Sequence, residues 1–178
     1  MKLATDISKP FTSEDWNDDR LSQIRRTCAL TLLELYRKAN AEHIGSSLSC
    51  LEILIDLYFR RMKKEDLLIL SKGHAATALY TVLAEVGRIS RFELSTYYLD
   101  RTLLGAHPSC SKKIYDIPFG TGYVDLSSRG SNRPRCLIAQ TVKGHGVSYM
   151  ENKMKWHYNP MSEEQYEIAV SETRTNRA

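Results

Sequence analysis

The stretch Asp66-Leu67-Leu68-Ile69-Leu70-Ser71-Lys72-Gly73-His74-Ala75-Ala76-Thr77-Ala78-Leu79-Tyr80-Thr81-Val82-Leu83-Ala84-Glu85-Val86-Gly87 decides the fold. Its first five residues are short, mostly apolar and followed by Ser-Lys-Gly-His, the pattern of a buried parallel strand running into a loop. A helix is predicted to follow from about Ala75 to Val86, closed by Gly87 as the residue past its end. The same grammar recurs at Cys136 to Val142, an apolar strand that ends in the tight loop Lys143-Gly144-His145-Gly146. Strands alternating with helices predict an α/β layered domain. A parallel sheet buried on both faces usually needs about four to six strands, and only these two are legible.

Outward from that stretch, residues 1–19 read as an N-terminal arm, residues 20–172 as the folded domain and residues 173–178 as a polar tail. A long helix is predicted from Leu21 to about Asn40, with Leu21, Ile24, Cys28, Leu32 and Leu35 in one apolar stripe. It breaks at Ala41-Glu42-His43-Ile44-Gly45-Ser46-Ser47, where glycine and two potential capping serines stand together. Ser49 and Glu52 have capping-box spacing and predict the next helix start. Ser90 with Glu93, and Ser162 with Gln165, repeat that spacing, the latter opening a helix to about Glu172. From Leu104 to Ser131 the pattern dissolves into Gly, Pro, Ser and Lys.

Composition removes several function classes. The 178 residues are 42% hydrophobic and 26% charged, the balance of an ordinary globular domain. A net charge of +4, evenly spread, is too small to indicate nucleic acid. The densest basic group, Arg60, Arg61, Lys63 and Lys64, suits a solvated helix end. No apolar run is long enough to cross a membrane. The N-terminus lacks the apolar core of a secretory signal, which leaves the cytoplasm as the expected compartment. The four cysteines have no metal-ligand spacing and read as reduced thiols.

The five histidines carry more information. His43, His74, His107, His145 and His157 all fall in loop-like positions beside glycine or proline. His74 and His145 directly follow predicted strands, where α/β folds collect their ligands. The helical spacing of histidine metal ligands is absent. Acid–base work on hydroxyls and carbonyls, or hydrogen bonding to phosphate oxygens, suits such a set better.

Five ordered segments give these loops a family likeness. His43-Ile44-Gly45-Ser46-Ser47-Leu48-Ser49 with Glu52-Ile53-Leu54, Leu70-Ser71-Lys72-Gly73-His74-Ala75-Ala76 with Leu79-Tyr80, Gly105-Ala106-His107-Pro108, Gly120-Thr121-Gly122, and Thr141 to Asn152 with Trp156-His157 resemble, in order, motifs of the transketolase family. The resemblance implies a three-layer parallel-sheet fold that binds thiamine diphosphate, and transfer of a two-carbon ketol unit from a ketose phosphate to an aldose acceptor. By the same resemblance His74 and His157 approach the diphosphate and Gly122 lets the backbone come close to the cofactor. His43 and His107 hydrogen-bond the substrate's carbonyl and hydroxyls and relay protons. His145 stands where the family commonly has lysine and reads as a solvated loop residue. Lys72 and Lys143 read as loop cations, with phosphate contact as the alternative, and Trp156, Tyr149 and Met150 read as packing residues.

The likeness is broken between Gly122 and Arg133. There the family has a long segment ending in a GDG…N motif whose aspartate and asparagine hold a divalent ion, Mg2+ or Ca2+. Asp125, the one carboxylate in this stretch, lacks the flanking glycines, and no metal role is carried onto it. The resemblance further implies a partner, the C-terminal transketolase subunit, in a heterotetramer with active sites formed between subunits. The competing expectations are an inactive, partner-binding subunit and a deoxyxylulose-phosphate-synthase-like enzyme. The interruption fits a remnant, a piece completed by another chain, or a longer polypeptide of which only the flanks are read. The intact flanks favour the last, and predict an intact mass well above 20.4 kDa, measurable by mass spectrometry.

Overall fold

The computed structural model describes residues 17–62, 68–107 and 139–175. Helix α1, Asp18–Ala39, begins where Asn17 Oδ1 accepts the Arg20 N–H at 2.9 Å. Asp18 and Asp19 place negative charge on its first turn, and Arg37 and Lys38 place positive charge on its last, both in the sense the helix dipole favours. The helix thus reaches into the arm expected over residues 1–19. Its predicted stripe is the buried face: Cys28, Leu32, Leu33, Leu35 and Tyr36 are enclosed.

Helix α2, Ile44–Asp56, starts earlier than the Ser49–Glu52 spacing predicts and widens into a π-helical turn at Leu57–Arg61. Ser49 is not a cap; its hydroxyl donates to the Ser46 carbonyl at 2.9 Å within the helix. Glu52 turns instead to Arg25 on α1. Helix α3, Ala76–Glu85, follows a short 3-10 turn at Gly73–Ala75 and is buried along nearly its whole length. At its end Gly87, with φ 76°, donates to Ala84 O at 3.2 Å, and Arg88 donates to Leu83 O at 2.8 Å. This is the paired closure that glycine past a helix end permits. Helix α4, Arg91–Ser95, has the predicted box: Ser90 N–H donates to Glu93 at 2.8 Å and Glu93 N–H to Ser90 Oγ at 3.0 Å. Helix α5, Glu163–Thr175, opens with the Ser162–Gln165 box and runs into the expected tail, where Thr173 is buried.

The two expected strands are not seen. Residues 68–70 and 139–142 are described and are not paired in any ladder, and no strand occurs among the described residues. The remainder of both runs lies outside the described residues. A strand exists only through a hydrogen-bonded neighbour, and residues 68–70 and 139–142 have none among the described residues. The described part is a helical layer: α1 packs on α2, α3 and α5, and α2 packs on α3. Leu32, Leu33, Ile44, Leu51, Leu79 and Leu83 fill the shared core. Two hydroxyl pairs cross it, Tyr36 with Ser47 at 2.8 Å and Thr77 donating to Tyr97 at 2.9 Å. Cys28 is buried and Cys50 half-buried, both as free thiols; Cys110 and Cys136 lie outside the described residues. No helix among the described residues is long and apolar enough to cross a membrane.

Candidate functional site

Four of the five histidines meet at one end of this layer. His43 is the cap of α2 and sits in the left-handed region, φ 74°, unusual for a residue with a side chain. Its carbonyl receives the Ser46 and Ser47 N–H groups at 3.0 and 3.3 Å. Its ring Nδ1 is hydrogen-bonded to the His157 main-chain carbonyl. His74 lies in the 3-10 turn that leads into α3, and His157 ends a second such turn, Met154–His157. His107 follows Leu104, which is buried and whose carbonyl takes the Tyr98 N–H at 2.8 Å.

The ring centroids of His43 and His74 are 4.2 Å apart, those of His43 and His157 4.9 Å, and those of His74 and His107 4.7 Å, each pair edge to face. His74 and His157 are 6.0 Å apart. Segments far apart in sequence therefore present their imidazoles to one small volume. His43 and His157 are half-buried, while His74 and His107 face solvent. Gly122 lies outside the described residues.

The cluster is electropositive. Partial shielding of its ring from water within the cluster, and then the neighbouring His43, His107 and His157, hold the otherwise exposed His74 below its ordinary pKa. Burial, Lys143, His43 and Lys72 do the same for His157. Lys72, read from sequence as a solvated loop cation, is fixed: its ammonium donates to the Ser46 carbonyl at 3.1 Å and to Ser49 Oγ at 2.9 Å. Ser46 Oγ stands 3.4 Å from His157 Nδ1. Sequence reasoning placed Ser46 and Ser49 only as cap candidates. Their contribution depends on α2 starting at Ile44, which the left-handed His43 makes possible and no residue pattern announces.

The Lys143–Asn152 segment holds the two halves of the site together. Gly144 N–H donates to the Gly45 carbonyl at 3.1 Å, and Asn152 N–H closes the segment on the Lys143 carbonyl at 2.9 Å. Val147 and Met150 are buried, and buried Trp156 donates its indole N–H to the Tyr149 carbonyl at 3.0 Å. The packing role read for Met150 and Trp156 matches this burial. His145 is away from the cluster. Its Nε2 is 3.2 Å from Glu52 and its Nδ1 3.4 Å from Glu151, so this loop residue, whose side chain is 39% exposed, is also bracketed by two carboxylates.

Such a site suits an anion with hydrogen-bonding groups beside it. Neutral imidazoles donate or accept at close range, two lysines supply positive charge, and the N-terminal turn of α2 adds its partial charge. No three His, Cys, Asp or Glu side chains among the described residues are grouped to hold a metal ion.

No family model matches the chain. One component of the apulose-4-phosphate transketolase of Phocaeicola vulgatus is 40% identical to it over 250 residues, an alignment that takes in 79% of this chain and 89% of that protein. The chain belongs to the transketolase family. It is also 41% identical over 87 residues to a 6-deoxy-6-sulfo-D-fructose transketolase subunit of a Clostridium species, covering 44% of the chain and 31% of that protein. Against human transketolase the match is 32% over 111 residues, 57% of the chain but 16% of the human protein. The alignment with the Phocaeicola protein is longer than this transketolase-family chain itself, so that relative carries internal residues with no counterpart here.

Proposed function

We propose that this chain is the diphosphate-binding subunit of a two-part transketolase, moving a two-carbon ketol unit from a ketose phosphate to an aldose acceptor. The observation that carries this reading is the meeting of His43, His74, His107 and His157, drawn from four separate segments, within 6.0 Å of neighbouring rings. The names of the Phocaeicola and Clostridium relatives support the division into subunits and the sugar substrate class.

Thiamine diphosphate, with Mg2+ or Ca2+, supplies the carbon nucleophile that accepts and passes on the ketol unit. The described residues fit its diphosphate: the charges bearing on His74 and His157 are all from histidine and lysine. They do not supply the ion's ligands. In this reading His74 and His157 bind diphosphate oxygens, with Lys72 and Lys143 adding charge, and Gly122 admits the cofactor to the backbone. His43 and His107 orient the sugar's carbonyl and hydroxyls and move protons between them. Residues 20–172 act as one cofactor-binding domain. A C-terminal transketolase subunit completes the site in a heterotetramer, and the expected compartment is the cytoplasm.

The second reading, an inactive subunit that only binds a partner, is favoured by the internal residues this chain lacks relative to the Phocaeicola protein. Titration calorimetry of thiamine diphosphate and Mg2+ against the chain, alone and with a C-terminal transketolase subunit, separates the two. Saturable cofactor binding in the mixture is expected. Absence of binding in both arms, in a polypeptide whose mass is 20.4 kDa, would make the inactive reading the correct one.

A further inference from the structure

We infer that the main-chain carbonyl of His157 selects the tautomer of His43 and leaves its Nε2 as the proton-accepting nitrogen. A carbonyl oxygen can only accept, so the contact between His43 Nδ1 and His157 O requires the hydrogen to be on Nδ1. Neutral imidazole carries one N–H, and the nitrogen that bears it is set by the bond the other makes. Nε2 of neutral His43 therefore has a free lone pair. A histidine left to solvent favours the opposite tautomer, with the proton on Nε2, so this assignment is imposed by the fold.

The imposition is rigid on both sides. On one side, the Ser46 and Ser47 N–H groups grip the His43 carbonyl and hold the residue at φ 74°. On the other, the His157 carbonyl rides on the turn whose Trp156 is buried and bonded to Tyr149. Between them, Gly45 is in contact distance of that turn: a Cβ there would lie 3.3 Å from the Trp156 carbonyl and 3.2 Å from Lys143 Cγ. His157 thus has two separable contributions, a ring for the anion and a carbonyl that positions His43. On the proposed function, which the consequence for a sugar rests on, His43 Nε2 accepts a hydrogen bond or proton from a substrate hydroxyl and cannot donate to the substrate's carbonyl until it has taken that proton.

The test is a long-range proton–nitrogen NMR spectrum of the whole chain with 15N-histidine, recorded on the alkaline side of the histidine range, with His43 assigned by its absence in His43→Gln. Nδ1 protonated and Nε2 unprotonated is the expected pattern; the reverse overturns the inference. In His157→Ala, which keeps the carbonyl and removes the ring, the His43 pattern is expected to persist, and a switch to Nε2–H would overturn control by the carbonyl. None of these spectra needs cofactor, so loss of thiamine diphosphate binding would sink the functional reading without touching this one.

Discussion

Gly144→Ala is expected to destabilise the fold by about 3 kcal/mol and to disperse the histidine cluster with it. Gly144 has φ 74°, and a Cβ there would lie 2.6 Å from the Met150 carbonyl oxygen and 2.7 Å from its carbon. The left-handed conformation costs a residue with a side chain roughly 1–2 kcal/mol, and overpacking of a tight site typically adds about 1–3 kcal/mol. Relief cannot come from a side-chain rotation, because the atoms met are the carbonyl oxygen, carbonyl carbon and Cβ of fully buried Met150, none of which moves when a side chain rotates. The segment must therefore lift, and lifting it removes the Gly144 to Gly45 hydrogen bond that ties it to α2. The His157 carbonyl then loses its place beside His43. Urea denaturation should show the midpoint fall with little change in slope. Gly105→Ala is the matched control: its nearest neighbour, the His107 carbonyl, would be 3.5 Å from the new Cβ, an ordinary contact, and the midpoint should hardly move. Equal midpoints for the two variants would contradict this account of the loop.

The local grammar of the helices was legible because it is carried by single side chains at fixed offsets. Asn17 could have been read as a cap from the acidic pair behind it. Ser90, Ser162 and Gly87 do what their neighbours predict. Ser49 with Glu52 has the same spacing and caps nothing, since the spacing also occurs inside a helix whose start is fixed elsewhere. That start is His43, held left-handed by Ser46, Ser47 and the His157 carbonyl, and one of those partners lies 114 residues away. A long-range contact of that kind has no local signature. The two short apolar runs form no strand among the described residues: such a run favours burial, while a strand also needs a hydrogen-bonded neighbour, which local sequence does not specify. The histidines were legible as a set because each stands at a glycine or proline turn in a recurring family segment. Their distances, and the pinning of Lys72 on α2, came only from the packing.

Diphosphate binding is expected to draw protons from solution near neutral pH, and the sign follows from the cluster. In the free chain His74 and His157 are held below the ordinary histidine value by burial and by positive neighbours. A bound anion reverses the second of these causes and favours the imidazolium forms. Ligand affinity should then rise as pH falls from about 8 to 6, by up to about tenfold per pH unit for each proton taken up. The free chain should respond in the opposite direction. Unfolded, His74 and His157 protonate at about 6.5, while folded these two resist, so the unfolded state binds more protons at them and their contribution to stability falls as pH drops through that value. The loss ends once pH is below the lowered folded values, where both states are charged. Calorimetry with inorganic pyrophosphate in two buffers of different ionisation heat reads the uptake directly. His74→Asn and His157→Asn should each flatten the pH dependence of affinity, because each removes one group that the anion recharges. An affinity that does not change between the two ends of that range would show that the phosphate oxygens do not meet these imidazoles, and would move the anion site off the cluster.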